Sequence, residues 1–303
     1  MHTARNKGRF AFGAAAVGVA LALSGCASGD PLATDDETAA DETIVIGSQA
    51  YFSNEIIAEI YAQALEDAGF DVEREFNIGQ RDAYIPSIEN GDIDLFPEYT
   101  GNLLQFYDED TEATETGEVY AQLQDVLPEG LVVLDQSPAT DQDSYNVTAE
   151  FAEEHELESL ADLSEVDVEL ILGGAPELEE RPYGPDGLSE TYDVEVSFVP
   201  TGDTTVDDLL AGTVNIANVY SADPRIQTED LVTLDDPEGL FLASNVVPLA
   251  NAEIADEIAE VINAVSAALT PEGLVALNVE STVDQRSAED IAADWLAENG
   301  LVG

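Results

Sequence analysis

Basic residues are scarce in this chain of 303 residues, and their scarcity excludes several classes of function. Eight lysines and arginines stand against 65 aspartates and glutamates, which gives a formal net charge of −57 at pH 7. Proteins bind DNA and RNA through basic residues that neutralise phosphates, so nucleic acid is excluded as a partner. The same charge disfavours electrostatic adhesion to anionic lipid. Because Lys7 is the only lysine, a Walker A loop and a Schiff-base lysine are both excluded beyond the N-terminal segment.

Cysteine and histidine are equally scarce. Cys26 is the only cysteine, so the chain cannot form an internal disulfide. A zinc site of the thiolate–imidazole type needs more cysteines and histidines than the chain contains. His155 stands among glutamates, which is typical of a solvated helix face, and the acidic run 108–112 lacks the glycine of a calcium-binding loop. We therefore expect no metal, no cofactor and no catalytic residue.

The few positive charges are concentrated at the N-terminus, ahead of an apolar run. The basic segment 1–9 precedes the apolar segment 10–23, which is too short for a comfortable membrane span and is typical of a secretory signal. Residues 23–26 (Leu-Ser-Gly-Cys) resemble the bacterial lipobox, in which cleavage precedes a cysteine that becomes diacylated. We predict a signal peptide over 1–25 and a chain that Cys26 anchors, through lipid alone, to the outer face of the cytoplasmic membrane. Ordinary signal cleavage beside an incidental cysteine is the alternative.

The rest of the chain alternates between strand and helix patterns. Residues 26–42 are small, polar and acidic, which suits a flexible tether after the lipid. Predicted strands cover 43–46, 70–76, 93–95, 131–134, 144–147, 168–172, 194–198, 214–219 and 231–234. One predicted helix begins at the candidate cap Ser53, and further predicted helices cover 82–89, 117–127 and 252–269. This alternation is typical of βαβ units on parallel sheets, and we predict two α/β lobes, the first of them discontinuous.

Three of the ten tyrosines lie where a ligand site is expected. Tyr99, Tyr145 and Tyr220 each stand in a loop-like context near the end of a predicted strand. Open α/β sheets bind ligands beyond the carboxyl ends of their strands, so the three positions can face one cleft. Taken singly, a tyrosine in such a place is more often half-buried packing with its hydroxyl satisfied.

The sequence around these tyrosines resembles a known family. The run from Thr43 to Gly101, which ends in IENGDIDLFPEYTG, is similar to the substrate-binding proteins of ABC importers for glycine betaine, choline and related quaternary amines. The similarity continues through SPATDQDSYNVT, RPYGPDGLSETY and NVYSADPRI to NVVPL. The resemblance implies a two-lobed, type II periplasmic-binding-protein fold with a ligand cleft between the lobes. Lobe 1 would then comprise residues 43–140 plus 246–303, and lobe 2 residues 141–245.

The resemblance also implies an aromatic cage around the ligand's cationic nitrogen. By motif, Tyr99, Tyr145 and Tyr220 match cage positions, Arg181 matches an arginine that grips a ligand carboxylate, and Asn102 matches a polar contact. A trimethylammonium group has no N–H to donate, so apolar contact and cation–π attraction must hold it, at about 0.5–2 kcal/mol per ring. A planar guanidinium is well suited to a carboxylate.

Two positions depart from the family pattern. Gln49 stands where many members have a lysine that helps to bind carboxylate. One explanation is that the chain lacks lysine in general, as a surface suited to high salt would. The other is that the protein has a weaker preference for carboxylate ligands and also binds choline. Ser244 stands where many members have a fourth cage tyrosine. Tyr51, Phe52 or Phe241 would cover that open side, or the pocket would be larger.

We therefore expect an extracytoplasmic protein that captures a quaternary amine and delivers it to permease subunits driven by a cytoplasmic ATPase. The first alternative keeps the fold and changes the ligand to ergothioneine, carnitine, proline betaine or an amino acid. A carboxylate-based glycosidase is the second alternative and predicts turnover of a substrate. A structural surface lipoprotein is the third, and no small molecule would raise its melting temperature.

Overall fold

The computed structural model describes residues 43–111 and 113–303. The chain divides into one unit at Met1–Ala40 and another at Asp41–Gly303, and all described residues belong to the second. The predicted signal peptide, Cys26 and the acidic tether lie outside the described residues.

Strands and helices alternate along the described residues. The strands are β1 Ile44–Gly47, β2 Val72–Glu75, β3 Leu95–Tyr99, β4 Leu131–Val133, β5 Asp143–Thr148, β6 Ile171–Gly174, β7 Ser197–Pro200, β8 Ile216–Tyr220, β9 Leu231–Thr233 and β10 Val246–Asn251. The α-helices are α1 Phe52–Asp67, α2 Arg81–Glu89, α3 Thr100–Tyr107, α4 Thr116–Val126, α5 Ala149–His155, α6 Pro185–Tyr192, α7 Thr205–Leu210, α8 Arg225–Thr228, α9 Ala252–Ala268, α10 Pro271–Thr282 and α11 Ala288–Asn299. Short 3₁₀ helices cover Leu160–Glu165, Pro176–Glu180 and Gly202–Thr204.

The first sheet is built from the beginning and the end of the described chain, in the order β2-β1-β3-β10-β4. Strand β1 is parallel to β2 and β3, whereas β10 is antiparallel to β3 and β4. Side chains alternate between its two faces: Leu95 and Val246 join a core with α1, α9, α10 and α11, while Phe96 and Val247 join another with α2, α3 and α4. Burying each such side chain contributes about 1.5–3 kcal/mol.

The second sheet is built from the middle of the chain, in the order β7-β6-β8-β5-β9. Strand β6 is parallel to β7 and β8, whereas β5 is antiparallel to β8 and β9. Val147, Leu172 and Ile216 face a core that α5 and α6 cover, and Ala217 and Val219 face a second core under α7. Both sheets are therefore covered on both faces, as expected of an α/β protein.

Several local predictions are wrong. Both sheets are mixed, not parallel, because β5 and β10 each run against their neighbours. Helix α1 begins at Phe52, with Tyr51 as its N-cap, so Ser53 is not the cap. Its hydroxyl instead accepts a hydrogen bond from Asn278 Nδ2 at 3.2 Å. Strand β3 begins at Leu95, where the predicted strand 93–95 ends.

Two connections link the sheets and lie side by side. Thr140 and Asn245 form an isolated antiparallel bridge between them. The amide of Val246 donates to the carbonyl of Ala139 at 2.9 Å. The amide of Asp141 donates to the carbonyl of Ser244 at 3.2 Å. Asp141 therefore lies in one of these two connections, between the sheets.

No single helix among the described residues is long and apolar enough to cross a membrane. Helices α9 and α10 are long and apolar enough only when they are taken together, and the pair is bent by 88°.

Candidate functional site

A cavity lies where the strands of both sheets end. Residues at or just beyond the carboxyl ends of β1, β3, β6 and β8 contribute to its wall, which is the usual place for ligands of open α/β sheets. Its empty volume is about 510 Å³, including the part open to solvent, whereas the space inside it that a small molecule can fill is only about 30 Å³. The lining residues are Gln49, Tyr51, Gln80, Arg81, Tyr99, Asn102, Asp141, Asp143, Ala175, Glu177, Leu178, Arg181, Tyr183, Asn218 and Tyr220.

Five residues predicted from the sequence line this cavity together, although they come from distant parts of the chain. They are Gln49, Tyr99, Asn102, Arg181 and Tyr220. Tyr99 and Tyr220 are the last residues of β3 and β8, so the strand ends present both rings to the cavity.

Tyr145, which the family pattern predicts in the cage, does not line this cavity. Asp143 does line it, and Tyr145 lies two residues further along β5, about 7 Å deeper into the sheet at the rise of a strand. The ring of Tyr145 is fully buried and meets Phe241 edge-on, with the ring centroids 5.0 Å apart. Its hydroxyl donates to the carbonyl of Tyr183 at 2.5 Å. Tyr145 thus supports Tyr183, which does line the cavity.

Ser244 also lies behind the wall. Its hydroxyl accepts from the amides of Gly101 and Asn102 at 3.1 and 3.3 Å, and donates to Asn102 Oδ1 at 2.7 Å. Helix α3 has no cap from its own N-cap side chain, so Ser244 satisfies two of its free N–H groups. A Cβ on Gly101 would stand 2.8 Å from the carbonyl oxygen of Ala243, so only glycine permits this close approach. The arrangement fixes Asn102 in the wall.

Four tyrosine rings form the aromatic part of the wall: Tyr51, Tyr99, Tyr183 and Tyr220. The rings of Tyr51 and Tyr220 are tilted by 50°, with centroids 4.9 Å apart. The Tyr99 hydroxyl accepts from Asn54 Nδ2 at 3.3 Å, and the Tyr183 hydroxyl accepts from Asn102 Nδ2 at 3.1 Å. Burial raises the pKa of all four phenols, so they are neutral. Sequence analysis names Tyr51 as one candidate for the open side and does not name Tyr183.

Two aspartates bring negative charge into the same wall. Asp141 is 2% exposed, and its Oδ1 accepts from the amide of Ala222 at 3.0 Å. Burial, with a smaller contribution from the Asp223 carboxylate, raises the pKa of Asp141 to about 7. Burial also raises the pKa of Asp143, whose Oδ2 accepts from Asn102 Nδ2 at 2.6 Å. Sequence analysis misses both aspartates because acidic residues are everywhere in this chain.

Each arginine of the wall already has a carboxylate partner. Arg81 is buried and donates through Nε and Nη2 to the two carboxylate oxygens of Glu98, each at 2.8 Å. Glu98 also accepts from the Tyr84 hydroxyl at 2.6 Å, and that hydroxyl accepts from Gln49 Nε2 at 3.0 Å. Arg181 Nη2 donates to Asp82 Oδ2 at 2.8 Å. The positive charges of the wall are therefore balanced, while Asp141 and Asp143 add negative charge.

Three buried polar atoms of the wall have no hydrogen-bond partner among the described residues. They are Tyr51 Oη, Asp141 Oδ2 and Asn218 Nδ2. The hydroxyls of Tyr51 and Ser53 lie close enough to Asp141 to oppose the rise in its pKa, but neither makes a hydrogen bond to Oδ2. An unsatisfied buried polar group costs about 1–3 kcal/mol, so a ligand that satisfied these atoms would recover that free energy.

The described residues contain no group of three or more histidine, cysteine, aspartate or glutamate side chains arranged to hold a metal ion. His155 stands in the last turn of α5, where its ring packs on Phe151 with the centroids 4.5 Å apart. It does not line the cavity.

Comparisons with known proteins agree on one family and one fold. The model of the family described as the substrate binding domain of ABC-type glycine betaine transport system matches residues 42–298. The glycine betaine-binding protein YehZ of Escherichia coli (strain K12) is 26% identical over 276 residues, which cover 85% of this chain and 90% of that protein. The carnitine transport binding protein OpuCC of Listeria monocytogenes is 25% identical, over 85% of this chain and 87% of that protein.

A solved structure supports the same fold. The crystal structure of a glycine betaine/carnitine/choline ABC transporter protein aligns with a TM-score of 0.70 at 20% identity, and covers 85% of this chain and 99% of that chain. At this identity the likeness concerns the fold alone. It confirms the predicted fold class, a two-lobed α/β periplasmic-binding-protein architecture.

Proposed function

The chain belongs to the family of substrate-binding domains of ABC-type glycine betaine transport systems, and from that membership we propose that it captures its ligand in the cavity between the two sheets. It is the substrate-binding component of an ABC transporter for quaternary amines of the glycine betaine, choline and carnitine class.

The observation that carries the proposal is the group of four tyrosine rings in one cavity. Tyr51, Tyr99, Tyr183 and Tyr220 line it, and all four are neutral. A methylated nitrogen cannot donate hydrogen bonds, so ring faces are the natural means of holding it, at about 0.5–2 kcal/mol each. We assign the cage to these four rings, with Tyr145 as the support beneath Tyr183.

The polar residues orient the rest of the ligand. Arg181 has further N–H groups besides the one that Asp82 binds, and they can meet a ligand carboxylate. Asn102 and Gln49 line the cavity as well, and Ser244 holds Asn102 in position. These residues give the cavity polar contacts for the end of the ligand that the rings do not hold.

We assign residues 43–140 plus 246–303 to lobe 1 and residues 141–245 to lobe 2. Contacts cross between them on both sides of the cavity: Arg181 binds Asp82, and Asp143 binds Asn102. Ligand binding would favour this closed arrangement over an open one, and the permease would recognise the closed form. The energy of binding then drives a change of population and not a chemical reaction.

The chain is an extracytoplasmic binding protein. We further propose that a lipid on Cys26 anchors it and that residues 26–42 are the tether, an assignment that rests on the sequence alone. A Cys26→Ser variant tests the anchor: the wild-type chain incorporates labelled fatty acid and the variant does not. Incorporation into both would contradict it.

The test of the cage is calorimetric titration with glycine betaine, choline, carnitine, proline betaine and ergothioneine. We expect at least one quaternary amine to bind, and a Tyr99→Ala variant to lose at least tenfold in affinity. Tyr107→Ala is the control, because it removes a partly buried tyrosine ring that does not line the cavity. The absence of any binding by the wild-type chain would overturn the proposed function. Equal affinities of wild type and Tyr99→Ala would overturn the cage.

A further inference from the structure

Asp141 has a buried carboxylate oxygen that accepts no hydrogen bond from the described residues, although the hydroxyls of Tyr51 and Ser53 lie near this carboxylate. Its Oδ1 accepts from the amide of Ala222 at 3.0 Å, whereas its Oδ2 is buried and has no partner. The residue is 2% exposed and lines the cavity beside Tyr51, Tyr99 and Tyr220. A buried charge without a partner is unfavourable, so this carboxylate either takes up a proton or pairs with a cation.

The described residues do not supply such a cation. The titratable groups that face Asp141 are the carboxylate of Asp223 and the phenols of Tyr51, Tyr99 and Tyr220. None of them carries positive charge. Arg225 lies beyond Asp223 and is already bound to Asp207 at 2.6 Å.

The arginines of the wall do not supply it either. Arg81 is fully engaged with Glu98, and Arg181 is bound to Asp82. The charge of Arg81 acts on the other aspartate of the wall, Asp143, where it partly opposes the rise in pKa that burial causes. Asp141 therefore lies next to the aromatic rings without a cationic side chain of the described residues beside it.

Resting on the proposed function, we infer that Asp141 determines specificity in this cavity: it selects ligands with a net positive charge, quaternary ammonium alcohols such as choline, over zwitterions such as glycine betaine. A cation held by the rings of Tyr51, Tyr99 and Tyr220 provides the missing charge for Oδ2. The rings alone would not distinguish the two ligands, because both carry the same trimethylammonium group.

The zwitterion carries a second charge that this wall receives poorly. Its carboxylate must lie in a cavity that contains Asp143 and Glu177, where Arg81 is paired with Glu98 and the charge of Arg181 is already balanced by Asp82. A zwitterion thus gains from Asp141 at one end and loses at the other. A ligand with a hydroxyl in place of the carboxylate gains without that loss.

The same carboxylate makes cation binding depend on pH. The pKa of Asp141 in the empty cavity is about 7, so the group is partly protonated at neutral pH. A cation binds the ionised form, which means that binding releases a proton and that affinity increases as the pH rises through 7. For a pKa near 7 that falls well below 6 in the complex, linkage gives about a tenfold gain in affinity between pH 6 and pH 8.

The first test compares choline and glycine betaine by calorimetric titration at pH 8 and one salt concentration. We expect the wild-type chain to prefer choline at least tenfold, and Asp141→Asn to reduce that ratio at least tenfold. Asp223→Asn is the matched control, because Asp223 faces Asp141 but does not line this cavity. It should leave the ratio within threefold. An unchanged ratio in Asp141→Asn, with both ligands still bound, would overturn this inference and leave the proposed function intact.

The second test needs no variant and therefore does not depend on folding of Asp141→Asn. Choline affinity of the wild-type chain is measured at pH 6, 7 and 8, and the protons released are obtained from titrations in buffers of different ionisation enthalpy. We expect about a tenfold gain across this range with net proton release, as linkage requires. An affinity constant within twofold and no proton release would overturn the inference. Failure of every quaternary amine to bind would instead overturn the proposed function itself.

Discussion

Tyr183 is held in the cavity wall by bonds to residues far from it in sequence. Its carbonyl accepts from the hydroxyl of Tyr145, and its own hydroxyl accepts from Asn102 Nδ2. Its ring also lies 5.8 Å from that of Phe241, centroid to centroid. At the scale of the residue, the proposed cage therefore consists of rings that line the cavity and of buried partners that orient those rings.

This division gives two substitutions with different effects. Tyr183→Ala should weaken binding of a quaternary amine at least tenfold, because it removes a ring from the wall. Tyr145→Phe should keep affinity within about threefold but lower the free energy of unfolding by about 1–3 kcal/mol, since the carbonyl of Tyr183 loses its buried donor. Calorimetric titration and urea unfolding measure the two quantities. A larger loss of affinity in Tyr145→Phe than in Tyr183→Ala would contradict the division.

Asp141 also predicts how the ligand-free protein responds to pH. Its pKa is about 7 in the folded state against an ordinary value of 3.8, so between these values the folded state binds more protons than the unfolded state. The free energy of unfolding should therefore fall as the pH rises from 4 to 7, by up to about 1.4 kcal/mol per unit from this group.

Urea unfolding of wild type and Asp141→Asn at pH 5 and pH 8 isolates this contribution. Burial also raises the pKa of Asp143 and Asp223, which therefore contribute in the same direction, but both residues are common to the two proteins. We expect the wild-type chain to lose more stability than Asp141→Asn between the two values. Parallel pH dependences would mean that Asp141 is ionised in both states.

The sequence predicts residues at strand ends better than residues inside strands. Tyr99 and Tyr220 end β3 and β8 and line the cavity, because the carboxyl ends of strands meet at one edge. Tyr145 lies inside β5, and its depth below the cavity depends on where the strand begins. Asp141 cannot be recognised in a chain with 65 acidic residues, since only burial distinguishes it.

At the scale of the element, the turn from β3 into α3 depends on one close contact. The backbone at Leu242 and Ala243 passes so near Gly101 that an added Cβ would meet two carbonyl oxygens and a side chain within 3.0 Å. The same segment brings Ser244 to the two amides at the beginning of α3. The connection between the sheets and the position of Asn102 are thus coupled.

Gly101→Ala should lower the free energy of unfolding by roughly 1–3 kcal/mol, because the backbone around Ala243 must move. Gly117→Ala is the matched control: Gly117 lies in α4 with nothing within 4 Å of an added Cβ, and the change should stabilise the protein by about 0.4–1 kcal/mol. Urea unfolding measures both. If Gly101→Ala were as stable as wild type, the backbone at Leu242 and Ala243 would be able to move away from residue 101 at no cost in free energy.

Strand β10 shows why the sheets are predicted only in part. Its Pro248 pairs with Pro97 of β3, and a proline argues against a central strand because it cannot donate to the ladder. Here the missing donor is compensated: the amide of Leu134 donates to the carbonyl of Pro248, and the carbonyl of Leu134 accepts from the Tyr120 hydroxyl. This compensation depends on residues more than a hundred positions away, so the local pattern cannot reveal it.

At the scale of the whole molecule, the acidic charge determines how salt affects stability. The chain carries a net charge of −57, and the contacts that join the two sides of the cavity include the pair of Arg181 with Asp82. Asp82 is largely exposed, so that pair contributes at most about 1 kcal/mol and is weakened by salt. Repulsion among the many carboxylates is weakened by salt as well, and it opposes the compact state. The second effect should dominate because it involves far more groups.

Salt should therefore stabilise this protein while changing ligand binding mainly through its kinetics. Raising potassium chloride from 0.1 to 1 M shortens the Debye length from about 10 to about 3 Å, so the melting temperature should rise. The association rate of a cationic ligand should fall, because the long-range attraction of the acidic surface is screened. Its dissociation rate should change less, since Asp141 is buried and screened little. Thermal melts and stopped-flow binding of choline, with sucrose as a neutral co-solute for comparison, measure these quantities. A melting temperature that falls with salt would show that ion pairs, and not carboxylate repulsion, govern the stability of the fold.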